Sequence, residues 1–274
     1  METKNQNNLY FIHANGFLPN AYQSLLNELN TSVTIKNHLL LDIFKKQKNL
    51  NLKNWIPFHD DFIESIKTKK NIGIGHSIGG NIILRSSITN PELFKAIILL
   101  DPTLFIPKII FFWKLFKYLG LQNKIHPWLT STLNRKMVYE NKAEVFKSYR
   151  KKPVFSKIDD KNLHIYIDSI VKKSNEKYII NYSKDYEYQI YKTGLIKDNY
   201  IWRNIKNIKI PTIIIRAEES NAFLENSANK VKKLNNNIKI VTLKETTHLF
   251  PLEKPLETAN IINRFLEELK TNNL

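Results

Sequence analysis

Four of the chain's seven glycines, Gly73, Gly75, Gly79 and Gly80, crowd into one short stretch around a single serine, Ser77. The stretch reads Asn71-Ile72-Gly73-Ile74-Gly75-His76-Ser77-Ile78-Gly79-Gly80. A chain so poor in glycine concentrates it where the backbone leaves no room for a Cβ. Gly75-His76-Ser77-Ile78-Gly79 has the form G-x-S-x-G. Where a strand turns abruptly into a helix, the residue at the bend is strained. Side chains two positions before and after it would collide, so both positions want glycine. The strain lifts the serine hydroxyl off the sheet, where a base and a substrate can reach it. The flanks fit this geometry. Residues 70–74 form a short apolar strand candidate. Residues 78–87 are helix-compatible, with Ile78, Ile82, Ile83 and Ser86 on one face. A plain glycine-rich turn would not need that order.

The same alternation runs along the rest of the chain. Apolar runs at 9–12, 72–75, 96–100, 212–215 and 237–241 predict strands, and the region 33–41 predicts one more. Helical spacing appears at 22–29, 55–66 and 255–269, with Pro255 in the first turn of the last. Strands alternating with helices imply an α/β protein with a mostly parallel sheet covered on both faces. Residues 103–202 differ. They hold much of the aromatic content and show helical patterns at 109–119, 143–149, 162–171 and 186–191, with no convincing strand. The expected organisation is therefore a core of residues 1–102 and 203–274 carrying a helical cap inserted at 103–202. A chain of 274 residues suits one such domain.

The absence of cysteine excludes disulfides and thiolate metal sites. The first eight residues are polar and lack an apolar signal core. The apolar run at 109–113 is too short to cross a bilayer. A cytoplasmic, soluble protein is expected. The net charge of +17 admits nucleic acid, an anionic membrane surface or an acidic substrate as partner. The basic clusters at 45–48 and 67–70 are short and no nucleic-acid motif accompanies them, so no nucleic-acid partner is expected. Abundant Lys, Asn and Ile together point instead to a compositional bias. The oligomeric state is left open.

A serine nucleophile needs a base. His248 is the candidate, because it follows the last predicted strand and precedes the last helix. His13 ends the first strand and is better suited to shaping its turn. His76 adjoins the serine, but neighbouring strand side chains point to opposite sides. The other histidines lie away from predicted strand ends.

With these pieces in order, the chain resembles the α/β-hydrolase superfamily over essentially its whole length. The matching segments are His-Ala-Asn-Gly-Phe at 13–17, Gly-His-Ser-Ile-Gly-Gly at 75–80, Leu-Asp-Pro at 100–102, and His248 followed by Phe250-Pro251-Leu252-Glu253-Lys254-Pro255. Within the superfamily it looks like the capped hydrolases whose first turn reads His-Ala-Asn-Gly-Phe. One departure matters. The resemblance puts the acid in a Gly-x-x-Asp turn before the histidine strand, and here that turn reads Ala217-Glu218-Glu219-Ser220. A serine cannot hold an imidazolium by charge. Asp101 is the preferred acid, since some similar proteins place it after that earlier strand, and one crossover helix and one strand fit between it and Ser77. Glu219 and Glu218 are the alternatives. Aspartate at a strand end also simply caps backbone amides.

The resemblance further implies an oxyanion hole of two backbone N–H groups. Ile78, at the N-terminus of the elbow helix, supplies one. Phe17 is the preferred second donor and Asn15 the alternative, since Gly16 allows close approach. These assignments imply a serine hydrolase acting on a small or medium-sized carboxylic ester through an acyl-enzyme, with no metal or organic cofactor. A thioester or carbon–carbon bond hydrolase, or a non-catalytic binder of a small ligand, are the competing readings. Phe111, Phe112, Trp113 and Phe116 are candidates for the substrate pocket. Their segment also carries Lys108, Lys114 and Lys117, a pattern found in helices that lie on anionic membranes. A cap helix whose apolar face covers the pocket is the preferred reading, and peripheral membrane contact the second.

Overall fold

Uninterrupted apolar runs such as Ala96-Ile97-Ile98-Leu99-Leu100 are stable as strands only when both faces of their sheet are covered. The computed structural model, which describes residues 8–48 and 50–271, places them so. The polar N-terminal segment at 1–7, Asn49 and the last three residues lie outside the described residues. In chain order the strands are β1 (Leu9–Ile12), β2 (Ile35–His38), β3 (Asn71–His76), β4 (Phe94–Leu100), β5 (Val138–Tyr139), β6 (Val171–Ser174), β7 (Lys177–Ile180), β8 (Thr212–Glu219) and β9 (Lys239–Thr247). Six of them form one parallel sheet in the order β2-β1-β3-β4-β8-β9. Alternate side chains feed two cores. Leu9, Phe11, Ile98, Leu100, Ile213 and Ile215 meet Ile262, Phe265 and Leu266 of the C-terminal helix Pro255–Thr271. Tyr10, Ile12, Ile97, Leu99 and Ile214 meet Phe58 and Phe62 of helix Ile56–Ser65 and Ile82 and Ile83 of helix Ile78–Thr89.

Between β4 and β8 the chain runs mainly through helices, among them Pro107–Tyr118, Lys142–Arg150, Asp160–Ile170 and Lys184–Thr193. The same stretch also contains a small antiparallel sheet, β5-β7-β6, where only helix was expected. The middle of its three strands in chain order, β6, carries little strand signal of its own. Val171–Ser174 reads Val-Lys-Lys-Ser and is largely exposed. Pairing makes it a strand: Ser174 faces Lys177 across a two-residue turn, with Asn175 at φ 53°. The helix expected at 22–29 is shortened to a 3-10 turn, Pro19–Tyr22, running into Gln23–Leu26. No helix among the described residues is long and apolar enough to cross a membrane.

Because the six strands are parallel, their C-terminal ends share one edge. Chemistry-bearing loops gather there in open parallel sheets. The loops after β1, β3, β4, β8 and β9 carry Asn15, Ser77, Asp101, Ser220 and His248 respectively.

Candidate active site

Ser77 stands between β3 and helix Ile78–Thr89 with φ 58° and ψ −119°. The glycines around it answer to contact. A Cβ on Gly75 would lie 2.3 Å from the Gly79 carbonyl oxygen, and one on Gly79 would lie 2.1 Å from that of Ile12. The Ser77 N–H donates to Leu100 O at 3.0 Å, which ties the bend to the end of β4. The side chain is half-buried. Its Oγ is hydrogen-bonded to Thr103 Oγ1 at 3.1 Å, and no hydrogen bond joins it to His248. Both side chains nevertheless line the same cavity.

Asp101 is fully buried at the end of β4, with φ 40°. Three donors converge on its carboxylate. The His248 Nδ1–H reaches Oδ2 at 2.6 Å, the Ser220 hydroxyl donates to the same oxygen at 2.6 Å, and the Ala217 N–H donates to Oδ1 at 3.1 Å. The strand order explains the arrangement. β8 lies between β4 and β9, so Asp101 reaches His248 across the end of β8, over the turn that carries Ser220. Ser220 also accepts from the N–H groups of Ala222 and Phe223, at 3.2 and 2.8 Å. The serine at the expected acid position therefore donates to the same carboxylate oxygen that His248 bonds. Glu218 and Glu219 are elsewhere. Glu218 pairs with Lys244 at 2.6 Å and Glu219 with Lys157 at 2.8 Å, both at the exposed surface. Neither bonds His248.

His248 is positioned from behind. The backbone N–H and hydroxyl of Thr247 both donate to the carboxylate of Glu253, which fixes the loop after β9. The carbonyl of His248 accepts from His76 Nε2 at 2.9 Å. That bond assigns the His76 proton to Nε2, so its Nδ1 accepts from the Tyr22 hydroxyl at 2.7 Å. The same hydroxyl accepts from Ala14 N–H at 3.1 Å. Complete burial, with His248 close by, holds His76 well below the ordinary histidine range and therefore neutral. Its ring nitrogens are both taken by Tyr22 and the His248 carbonyl, and neither bonds Ser77. The ring also lies beside that of His248, with ring centroids 4.8 Å apart.

The first turn corrects one expectation. The Phe17 N–H donates to Ala14 O at 3.1 Å, closing a turn over 14–17, so this amide is already used. The Phe17 ring stacks toward Tyr166 and Phe155, away from the cavity. Gly16, at φ 81°, takes the position of the turn where a side chain would be strained. Asn15, the alternative, lines the cavity beside Ser77 and Ile78. Among the described residues, neither the Asn15 nor the Ile78 backbone N–H has a protein acceptor. The Asn15 side chain is held in place by Tyr182 O–H at 3.0 Å and Glu187 O at 3.1 Å. His13 does shape this turn. Its Nδ1–H donates to Ala14 O at 2.7 Å and its Nε2 accepts from Leu40 N–H at 3.2 Å. Burial lowers its pKa to about 4.

The cavity has a volume of about 550 Å³, with Ser77, Thr103, Asn15 and His248 at its polar end. The rest is largely apolar, formed by Phe105, Ile109, Phe112, Trp113, Phe116, Trp128 and Ile190 among others. Of the aromatic candidates, Phe112, Trp113 and Phe116 are in the cavity lining. Phe111 is not: it is 63% exposed and outside the cavity, because it lies on the opposite side of its helix from Trp113. Trp113 is anchored by its indole N–H to Gly194 O at 3.0 Å.

The sequence matches the Ndr family model over residues 60–269, well over half of the chain. The chain belongs to the Ndr family. Comparison with curated proteins finds no match. Among solved structures, E-2-(acetamidomethylene)succinate hydrolase superposes with a TM-score of 0.74 at 16% identity, over 95% of this chain and 91% of that one. A peroxisomal α/β-hydrolase from Saccharomyces cerevisiae gives 0.73 at 19% identity, over 96% and 76%. A putative hydrolase from Rickettsia typhi gives 0.71 at 18%, over 97% and 88%. These likenesses show that the Ndr-family chain has the α/β-hydrolase fold.

In this Ndr-family protein, sequence reasoning assigned no role to Thr103 or Tyr22, weighed His76 only as a base, and did not foresee that Ser220 bonds Asp101. Only one of these left a signal in the sequence: His76 lies inside the elbow motif, next to the serine. The others reach the site through strand order, which the one-dimensional pattern does not carry.

Proposed function

We propose that this protein is a serine hydrolase that cleaves a carboxylic ester bearing an apolar acyl or alcohol group. The observation that carries the reading is the 2.6 Å bond from His248 Nδ1 to the buried carboxylate of Asp101, in a histidine that shares a cavity with Ser77. With Nδ1–H committed to Asp101, the lone pair of Nε2 is left to accept a proton, which is the tautomer a general base needs. Ser77 leaves Thr103, gives its proton to Nε2 and attacks the ester carbonyl carbon. The N–H groups of Asn15 and Ile78 receive the developing oxyanion. Nε2–H then protonates the departing alcohol, and water repeats the cycle on the acyl-enzyme to release the acid. The apolar cavity favours acyl groups of medium length over short ones, and a thioester would meet the same groups.

Family membership assigns no reaction by itself. The hydrogen bond between Ser77 and Thr103, with none to His248, favours a second reading in which the cavity holds a small apolar ligand without turnover. A fluorophosphonate probe and a graded series of activated esters separate the two. Labelling of the native protein that is lost in Ser77→Ala, with turnover rising with acyl length, supports the hydrolase. A native protein that is neither labelled nor active leaves the binder.

A further inference from the structure

The helix Pro107–Tyr118 was expected to cover the cavity with its apolar face. Ile109, Phe112, Trp113 and Phe116 of this helix do line the cavity, but only Ile110 and Trp113 are buried. Phe111, Phe112, Leu115, Tyr118 and Leu119 are all exposed, as is the neighbouring Ile125. Six of the nine exposed large apolar side chains among the described residues therefore lie on this one surface. Phe111, Leu115, Tyr118 and Leu119 are spaced three and four residues apart, so they share one side of the helix. An apolar patch of this kind on a folded surface calls for a partner.

The charges around it say which partner. Between Asp101 and Glu140 the sequence has no acidic residue and six basic ones. Lys108 and Lys114 are exposed on the same helix as the aromatic side chains. At its N-terminal end an open concavity of about 460 Å³ is lined by Lys108, Lys230, Lys233, Asn226 and Asn229. Ammonium groups and side-chain amides at the positive end of a helix suit phosphate oxygens. A second copy of the chain on this face would set lysines against lysines.

We propose that this face docks on an anionic phospholipid bilayer. Phe111, Leu115 and Leu119 enter the boundary between headgroups and acyl chains, and Lys108, Lys230 and Lys233 meet lipid phosphates. Phe112 and Ile125 belong both to the exposed patch and to the cavity lining, so the cavity opens toward the bilayer. The docking is independent of catalysis, and Ser77→Ala binds as the native protein does.

The test is co-sedimentation of the full chain with vesicles of phosphatidylcholine alone and of phosphatidylcholine with phosphatidylserine, at low and high salt. Three lysines at the surface predict partitioning on the order of 100-fold stronger to the anionic vesicles at low salt, falling as salt is raised. Phe111→Gln with Leu115→Gln reduces binding by about 30-fold, with the melting temperature and hydrolysis of a soluble ester unchanged. Lys108→Gln with Lys230→Gln and Lys233→Gln abolishes the anionic preference and leaves the weak phosphatidylcholine binding. Equal partitioning to both vesicles, no binding at low salt, or binding unaffected by both sets of substitutions would overturn the proposal. So would a dimer in solution that the Phe111 and Leu115 substitutions dissociate, because a second copy would then own the face.

Discussion

Asp101→Asn is the most informative single change, because three donors share that one carboxylate. Oδ2 receives the His248 Nδ1–H and the Ser220 hydroxyl, each at 2.6 Å, and Oδ1 receives the Ala217 N–H at 3.1 Å. Asparagine has one acceptor oxygen. If that oxygen stays with Ala217, the side-chain amide N–H2 faces His248 and forces its proton onto Nε2, which blocks the base. If the oxygen turns to His248, the N–H2 opposes the Ala217 N–H and leaves a buried donor unmet, at a cost of about 1–3 kcal/mol in stability. The first arrangement avoids that backbone penalty, so kcat falls by roughly 10³–10⁴-fold, about 4–5.5 kcal/mol of barrier. Circular dichroism and a melting curve establish that the variant is folded, and steady-state hydrolysis of an activated ester gives kcat. Glu218→Gln and Glu219→Gln are the controls. Both carboxylates pair with surface lysines, and kcat in these variants stays within about twofold of the native value. A folded Asp101→Asn that keeps kcat within about tenfold, or a larger loss in Glu219→Gln, would refute the reasoning.

Ser220→Ala removes the hydroxyl bond to Asp101 and strips an acceptor from two N–H groups. It lowers stability by about 1–3 kcal/mol and kcat by about tenfold with KM unchanged, read by urea unfolding and ester kinetics. Gly79→Ala puts a Cβ 2.1 Å from a backbone oxygen that cannot move aside, so the variant loses more than about 4 kcal/mol and fails to accumulate as folded protein. His76→Phe leaves the His248 carbonyl without its donor; kcat falls about tenfold at constant KM, and a rise in KM alone would count against a positioning role. Stability also depends on pH. His13 titrates near 4 in the fold against 6.5 when unfolded, so between these values the unfolded chain binds more protons. Its contribution is complete above pH 6.5 and is lost as the pH falls toward 4. The unfolding free energy at pH 5 is about 2 kcal/mol below that at pH 7 from this residue, and equal urea midpoints at the two pH values would exclude it.

The elbow was legible because its cause is local. Contacts between Gly75 and Gly79, and between Gly79 and the end of β1, forbid side chains at fixed spacing, so they leave a pattern in the residues themselves. The parallel sheet was legible for a related reason: strands covered on both faces must be apolar throughout. The carboxylate for His248 left no such mark. Asp101, Glu218 and Glu219 have the same chemistry, and only the order β4-β8-β9 brings the first to the imidazole and sends the other two to surface lysines. The difference between the Asn15 and Phe17 amides rests on a single hydrogen bond that consumes one and leaves the other free. The direction of Phe111 depended on which side of its helix Ile110 and Trp113 bury. Sterics within a few residues are written into composition and spacing. The meeting of side chains far apart along the chain is decided by how the strands are ordered and packed.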